Sequence, residues 1–370
     1  MNKIYTVILL YIMLLCSCST EEQRDAIYTP VDSIGFKLPI DTVYLRKMIS
    51  DIDYISLETP EEAFIYEADK VIMDDKYLYV ADFRGNKICV YENDGTYIHC
   101  LDKKGMGPGE YFELRNFTTD GDNLYIIDNY KHKVFIYKCD DGSFAGEKDM
   151  PIVADDIEYL SDGHFVLGLM PMSQRNIPHS RHLLFIVDPE FKIINRLLPY
   201  DEDERVPFAP MSFFKSDEEN IYFSSLLFDG FTVIPRNNPD SLYHIAIDFE
   251  KRIPDKIRGN SDEIDKGDYQ CLCSTPVCCQ NYWSFQVDAD GYIQTVVYDK
   301  NRRLLMANNE MDASKILYDP IASYGNKYIT YLADAGIYDE LLKIGFPRAD
   351  ETTEANLRNE GAVLIVYTMK

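Results

Sequence analysis

Two stretches of this chain repeat one another at a fixed offset. Laying residues 82–95 (DFRGNKICVYENDG) over 128–142 (DNYKHKVFIYKCDDG) puts Asp82 on Asp128, Lys87 on Lys133, Ile88 on Val134 and Tyr91 on Tyr137, each 46 apart. One extra residue in the second turn then sets Gly95 against Gly142. A repeat of roughly 40–50 residues belongs to chains that stack one supersecondary unit or array it in a ring. Inside each copy the apolar pattern is strand-like, with Leu78, Tyr79 and Val80 matching Leu124, Tyr125 and Ile126. A polar turn follows, then alternating Ile88 and Val90 against Val134 and Ile136. Asn93-Asp94-Gly95 and Asp140-Asp141-Gly142 supply residues that tolerate positive φ in hairpin turns. Each unit therefore reads as a small antiparallel meander.

Between the two copies lies Gly105-Met106-Gly107-Pro108-Gly109-Glu110-Tyr111. A phosphate-binding glycine loop needs a following helix whose free amides and dipole face the anion. Here a further strand pattern follows at 117–128, so the glycine-proline run reads as a tight connector between units.

Extending the period gives a first unit over 70–101, a second over 117–148, a third over 154–198 and a fourth over 211–249. The third is interrupted by an insertion, 170–181. An acidic stretch at 251–270 reads as a loop, a fifth unit follows over 282–317, and a sixth begins at 321–332. That last unit departs into a polar helical stretch at 337–358 before the apolar strand AVLIVYT at 362–368. One strand, 43–58, is left over at the front and one at the end. A ring that closes by placing strands from both termini in one sheet uses both and leaves no open edge. The expected fold is all-β: a six-bladed β-propeller of four-stranded antiparallel blades over 41–370, closed by strands from both termini. The 28 tyrosines and 19 phenylalanines, residues that favour pleated strands, agree with it.

A formal charge of −25 lacks the basic footprint that nucleic acid requires, so no nucleic-acid partner is expected. The acidity leaves room for Ca²⁺, and no other cofactor is indicated.

The first residues carry Lys3 and then an apolar run, 4–15, too short to span a bilayer, which is the pattern of an export signal. Leu15-Cys16-Ser17-Cys18 resembles the lipobox of bacterial lipoproteins, with Ser17 as the small residue before the acylated Cys18. Residues 1–17 are then signal peptide and Cys18 the lipid attachment, which makes the membrane a partner. Ser-Thr-Glu-Glu-Gln after Cys18 is similar to the acidic surface-export signal of Bacteroidetes lipoproteins. Residues 18–40 read as a flexible tether, within which Asp32-Ser33-Ile34 resembles the three-residue O-glycosylation signal of that phylum. Asp41-Thr42-Val43, just beyond, carries the same resemblance.

Seven cysteines remain beyond Cys16 and Cys18. Cys271, Cys273, Cys278 and Cys279 lack zinc-knuckle spacing and a nearby histidine, leaving disulfide pairing or buried thiols as the main alternatives. Cys89 and Cys100 face each other if the intervening turn is the two-residue Asp94-Gly95, whereas a three-residue loop would mismatch them.

The GPGEY run at 107–111, Asp120, Asp128 and the segment from Lys133 to Tyr137 ending in Asp141-Gly142-Ser143-Phe144 resemble the NHL-type repeat. With the lipobox, the opening strand YISLET at 54–59 and the apolar final strand, the mature chain resembles the six-bladed β-propeller lipoproteins of Bacteroidetes. The resemblance implies this fold and an envelope address, an outer-membrane lipoprotein facing the periplasm or the cell surface. It implies no particular activity.

Propeller ligands gather where loops converge at one end of the channel. The turns after each second strand offer Asp82, Arg84 and Asn86; Asp128, Tyr130 and His132; Arg175, His179 and Arg181; Asp229; and Asp299, Arg302 and Arg303. Asp82 and Asp128 are expected to accept turn amides. The candidate ligand-binding residues are Arg84, Tyr130, His132, Arg175, His179, Arg181 and Asp229, with the insertion 170–181 the foremost loop. Neither a nucleophile motif nor metal-ligand histidine spacing is present, and no catalytic residue is assigned. The expected function is a non-catalytic binding or interaction module for a glycan, peptide or envelope protein. The alternative is a Ca²⁺- or metal-assisted propeller hydrolase or lyase with its site at the channel mouth.

Overall fold

The computed structural model describes residues 30–37, 43–171, 181–200, 206, 210, 212–258, 260–289, 291–299, 301, 304–309 and 317–370. Strands Lys70–Met73, Tyr77–Asp82, Lys87–Glu92 and Tyr97–Leu101 form the first blade, from the axis outward. Asn116–Thr119, Asn123–Asp128, Lys133–Lys138 and Phe144–Asp149 form the second, in register with the sequence repeat. The third is Asp156–Tyr159, Phe165–Gly168, His182–Val187 and Ile193–Pro199, and the fourth begins Phe214–Ser216, Asn220–Ser224, Gly230–Pro235 and Tyr243–Asp248. The sixth joins Ala322–Tyr324, Lys327–Leu332 and the final strand Val363–Met369 to Ile49–Ser56, with Ile49 opposite Met369 and Ser56 opposite Val363. The chain is a six-bladed β-propeller closed by both of its ends.

Six apolar clusters fill the seams between neighbouring blades among the described residues. Between the first and second, Tyr79, Val90, Phe117, Ile126 and Tyr137 are fully buried. Each such side chain contributes about 2–3 kcal/mol by leaving water, so the ring is held by its seams. The connector 105–111 is one of the joints. Its amides are used internally, Gly105 N donating to the Tyr111 carbonyl at 2.8 Å and Gly107 N to the Glu110 carboxylate at 2.8 Å. Tyr111 is buried, its hydroxyl 2.8 Å from the Leu101 carbonyl. Glu110 N and Tyr111 N are likewise turned inward, donating to the Gly107 and Lys103 carbonyls, so the run is folded on itself rather than around a phosphate.

The repeated aspartates staple connector to turn. One Asp128 oxygen accepts from Phe112 N at 2.6 Å and the other from Lys131 N at 2.9 Å. Asp82 does the same with Tyr66 N at 2.8 Å and Gly85 N at 2.5 Å.

Three sequence expectations change. The tether expected over 18–40 contains a strand, Asp32–Gly35, which pairs in parallel with Tyr243–Asp248 as a fifth strand of the fourth blade. Its alternate residues Ile34 and Phe36 are buried there, and that apolar alternation outweighs the polar composition. The fifth blade does not start at 282. Its inner strand is the cysteine segment, in two pieces, Cys271–Leu272 and Val277–Cys279, both paired with Tyr282–Ala289. Tyr292–Asp299 and Leu304–Asn309 complete it. The break falls at Ser274-Thr275-Pro276, where proline removes a ladder donor. Lastly, the turn after Glu92 spans three residues, with Glu92 N donating to the Thr96 carbonyl at 2.9 Å. Cys89 and Cys100 nevertheless stand opposite one another. A bulge beside Tyr91 absorbs the odd residue and restores the register. All seven described cysteines are unbridged thiols.

Candidate functional site

Along a meander, successive turns alternate between the two ends of the ring. A cavity of about 590 Å³ occupies the axis and opens at the end that carries the turns between first and second strands. All six inner strands contribute to its wall, from Lys70 and Thr119 through Glu158, Lys215 and Val277 to Ser323. The volume is that of a small-molecule site.

The rim is built by a second repeated device. Asp74, Asp120 and Asp217 close their turns through one carboxylate oxygen, which accepts from Tyr77 N at 2.8 Å, Asn123 N at 2.7 Å and Asn220 N at 2.7 Å respectively. The other oxygen accepts from the tyrosine five residues on: Tyr79 at 3.2 Å, Tyr125 at 2.7 Å and Tyr222 at 2.8 Å. Burial alone would raise the Asp120 carboxyl, but the Tyr125 hydroxyl and the turn amides hold it below its ordinary value. Further contacts tie blades across the mouth. Lys76 pairs with Asp122 at 2.9 Å, Glu218 accepts from Gly325 N at 2.9 Å, and the Tyr324 hydroxyl bonds Asp75.

Deeper in, charges meet on the inner wall. Buried Lys70 reaches across to Asp156 at 3.3 Å and Glu158 at 3.6 Å, and also donates to Asn116 at 3.0 Å and the Phe117 carbonyl at 2.8 Å. Arg236 binds Glu158 at 3.2 Å and the Asp217 carbonyl at 2.9 Å. The second oxygen of Asp156 accepts from Ser212, Phe213 N and Phe214 N at 2.8–3.0 Å. Lys215 spans to the sixth blade, donating to the Ile321 carbonyl at 2.9 Å. Burial pushes its amine down to about 8, with Lys70 adding to the effect and Asp156 and Glu158 opposing it.

The residues singled out from sequence lie elsewhere. Arg84, Tyr130, His132, Arg181 and Asp229 sit on turns between second and third strands, at the opposite end of the ring from the cavity mouth. The Arg84 guanidinium lies over the Tyr66 ring at 5.6 Å, and exposed Tyr130 packs on Phe112 with ring centres 4.3 Å apart. His132 is exposed with φ +54°, a turn role. The Arg181 carbonyl accepts from Tyr200 N, and Asp229 is an ion-pair partner of Arg258 at 2.5 Å. Arg175, His179, Arg302, Arg303 and Cys18 fall outside the described residues. Among the described residues, no group of three or more His, Cys, Asp or Glu side chains is placed to hold a metal ion.

What sequence reasoning passed over is Lys70, Lys215 and the rim aspartates. The rim had a legible signal, an aspartate with tyrosine five residues later at 74 and 79, 120 and 125, and 217 and 222.

The fold thus defines a closed propeller with an axial cavity ringed by the turns between first and second strands. Residues 37–358 match the profile of a domain of unknown function, DUF4934, and the chain belongs to that family. Among solved structures it is similar to a Bacteroides fragilis protein classed as exported, at 18% identity and TM-score 0.74, over 91% of this chain and 99% of that one. It is also similar to a DUF4221 family member from Bacteroides vulgatus, at 9% identity and TM-score 0.52, over 87% and 97% of the two chains. Both likenesses establish the propeller fold. No curated protein matches the chain.

Proposed function

We infer that this is an exported binding module of the cell envelope, held at the outer membrane by lipid on Cys18, whose ligand enters the axial cavity. The observation that carries the reading is the 590 Å³ cavity walled by all six inner strands, with polar groups set by repeated turns. The signal-like first residues and the lipobox-like Leu15 to Cys18 run support the address. The wall carboxylates are already engaged by cations, amides and hydroxyls, an arrangement suited to holding a shape rather than turning a substrate over. Glycans, peptides and extracts of envelope proteins are the ligands to screen, by thermal shift and calorimetry on the mature chain. A ligand found this way should be recovered unchanged, and its binding should be lost in Ser216→Trp, which fills the cavity beside Glu158. Turnover of the bound compound, or binding untouched by a folded Ser216→Trp protein, would overturn the reading. The anchor has its own check: mass spectrometry of the membrane fraction should find acylated Cys18, and Cys18→Ala should release the protein.

A further inference from the structure

The deep cations are not equally paired. Among the described residues, Asp156 and Glu158 are engaged by Lys70 and Arg236. Lys215 has the Ile321 carbonyl as its hydrogen-bond acceptor and, among the described residues, no carboxylate within ion-pair distance. Its side chain is half-buried and lines the cavity. On the facing inner strand, the Ser323 hydroxyl lines the same cavity and is buried with no partner among the described residues. A largely desolvated cation with no carboxylate in direct contact is costly in a free protein and becomes favourable when an anion arrives. In a chain of net charge −25, a cavity lysine with no carboxylate in ion-pair contact among the described residues is an exception.

The rim restricts what that anion can be. Asp122, Asp217 and Glu218 at the mouth repel a dianion such as a phosphate monoester. They accept hydrogen bonds from hydroxyl or ammonium groups. Resting on the cavity reading above, we propose that the ligand is a small monocarboxylate, its carboxylate seated on Lys215 and its hydroxyl- or amine-bearing remainder held by the acidic rim. Sugar acids and peptide C-termini share this chemistry.

The test is calorimetry on the mature chain near neutral pH with D-glucuronate and glycylglycine, each beside its uncharged amide. At least one carboxylate should bind about tenfold or more tighter than its amide. Lys215→Met should reduce it to the amide's level, and Lys215→Arg should keep most of the affinity. Which carboxylate binds separates the sugar-acid source from the peptide source. Silence of both carboxylates up to about 10 mM, an amide that binds equally well, or undiminished binding by Lys215→Met would each overturn the proposal. A neutral ligand blocked by Ser216→Trp but indifferent to Lys215 would remove the carboxylate and leave the cavity reading standing.

Discussion

Replacing Lys215 by methionine should make the free protein more stable. The ordinary lysine value is 10.5 and Lys215 stands at about 8. At about 1.4 kcal/mol per tenfold change in proton affinity, keeping it charged in the folded ring costs on the order of 3 kcal/mol. Relaxation and the open cavity beside it reduce that figure, and methionine also forfeits the hydrogen bond to the Ile321 carbonyl, worth about 1 kcal/mol. The net expectation for Lys215→Met is a gain of about 1–2 kcal/mol near neutral pH, a few degrees in Tm for a ring of this size. The pH dependence carries the argument. A lysine depressed in the folded state destabilises it fully below about 8 and not at all above 10.5. The advantage of the methionine variant should therefore be largest near neutrality and shrink across that window. Urea unfolding of both proteins at matched pH values measures it. A methionine variant that is less stable at neutral pH, by a margin that stays flat between 8 and 10.5, would refute the account of Lys215 as an uncompensated cation.

Asp128→Ala should cost about 2–4 kcal/mol, because it strands the Phe112 and Lys131 amides that the carboxylate holds; denaturant midpoints read this, and a loss under about 0.5 kcal/mol would contradict the staple. Gly95→Ala should destabilise by about 2 kcal/mol or more, since φ is +93° and a Cβ would lie 2.1 Å from the Ser56 carbonyl. A melting curve matching the parent would show that the joint between first and closing blades gives way easily. Under oxidising conditions Cys89 and Cys100, directly opposed across their hairpin, should be the first cysteines to pair. Non-reducing peptide mapping checks this, and Cys89 alkylated without prior reduction would exclude it.

The parts of the fold legible in sequence were those where pattern is local. The 46-residue offset placed the first two blades because their turns and strands are nearly the same length. The leftover strands announced closure too, although the one expected over 43–58 is a strand only at Ile49–Ser56, after a short helix at Val43–Arg46. The inner strand of the fifth blade escaped notice because Pro276 splits it into pieces of two and three residues, too short to show alternation. Asp32–Gly35 escaped because only Ile34 and Phe36 reveal its buried side. The site was a different problem. Sequence distinguishes the two sets of turns but does not say at which end the channel stays open. The inner wall is also assembled from distant segments, Lys70 meeting Asp156 over a separation of 86 residues. The rim aspartates were within reach of pattern reading, since their tyrosine partners follow at a constant step.

The closing blade has a consequence for how the chain reaches its native state. Apart from the added strand Asp32–Gly35, five blades pair segments that are close in sequence, and such local pairings form fast. The sixth brings Ile49 to Met369, so it waits for Val363–Met369 to be synthesised. Until they arrive, Ile49–Ser56 and Lys327–Leu332 are unsatisfied edges on an open arc, the situation in which strands recruit foreign strands. Deleting Val363–Met369 thus threatens aggregation rather than a local loss. The strand Val363–Met369 acts as the latch of the whole molecule.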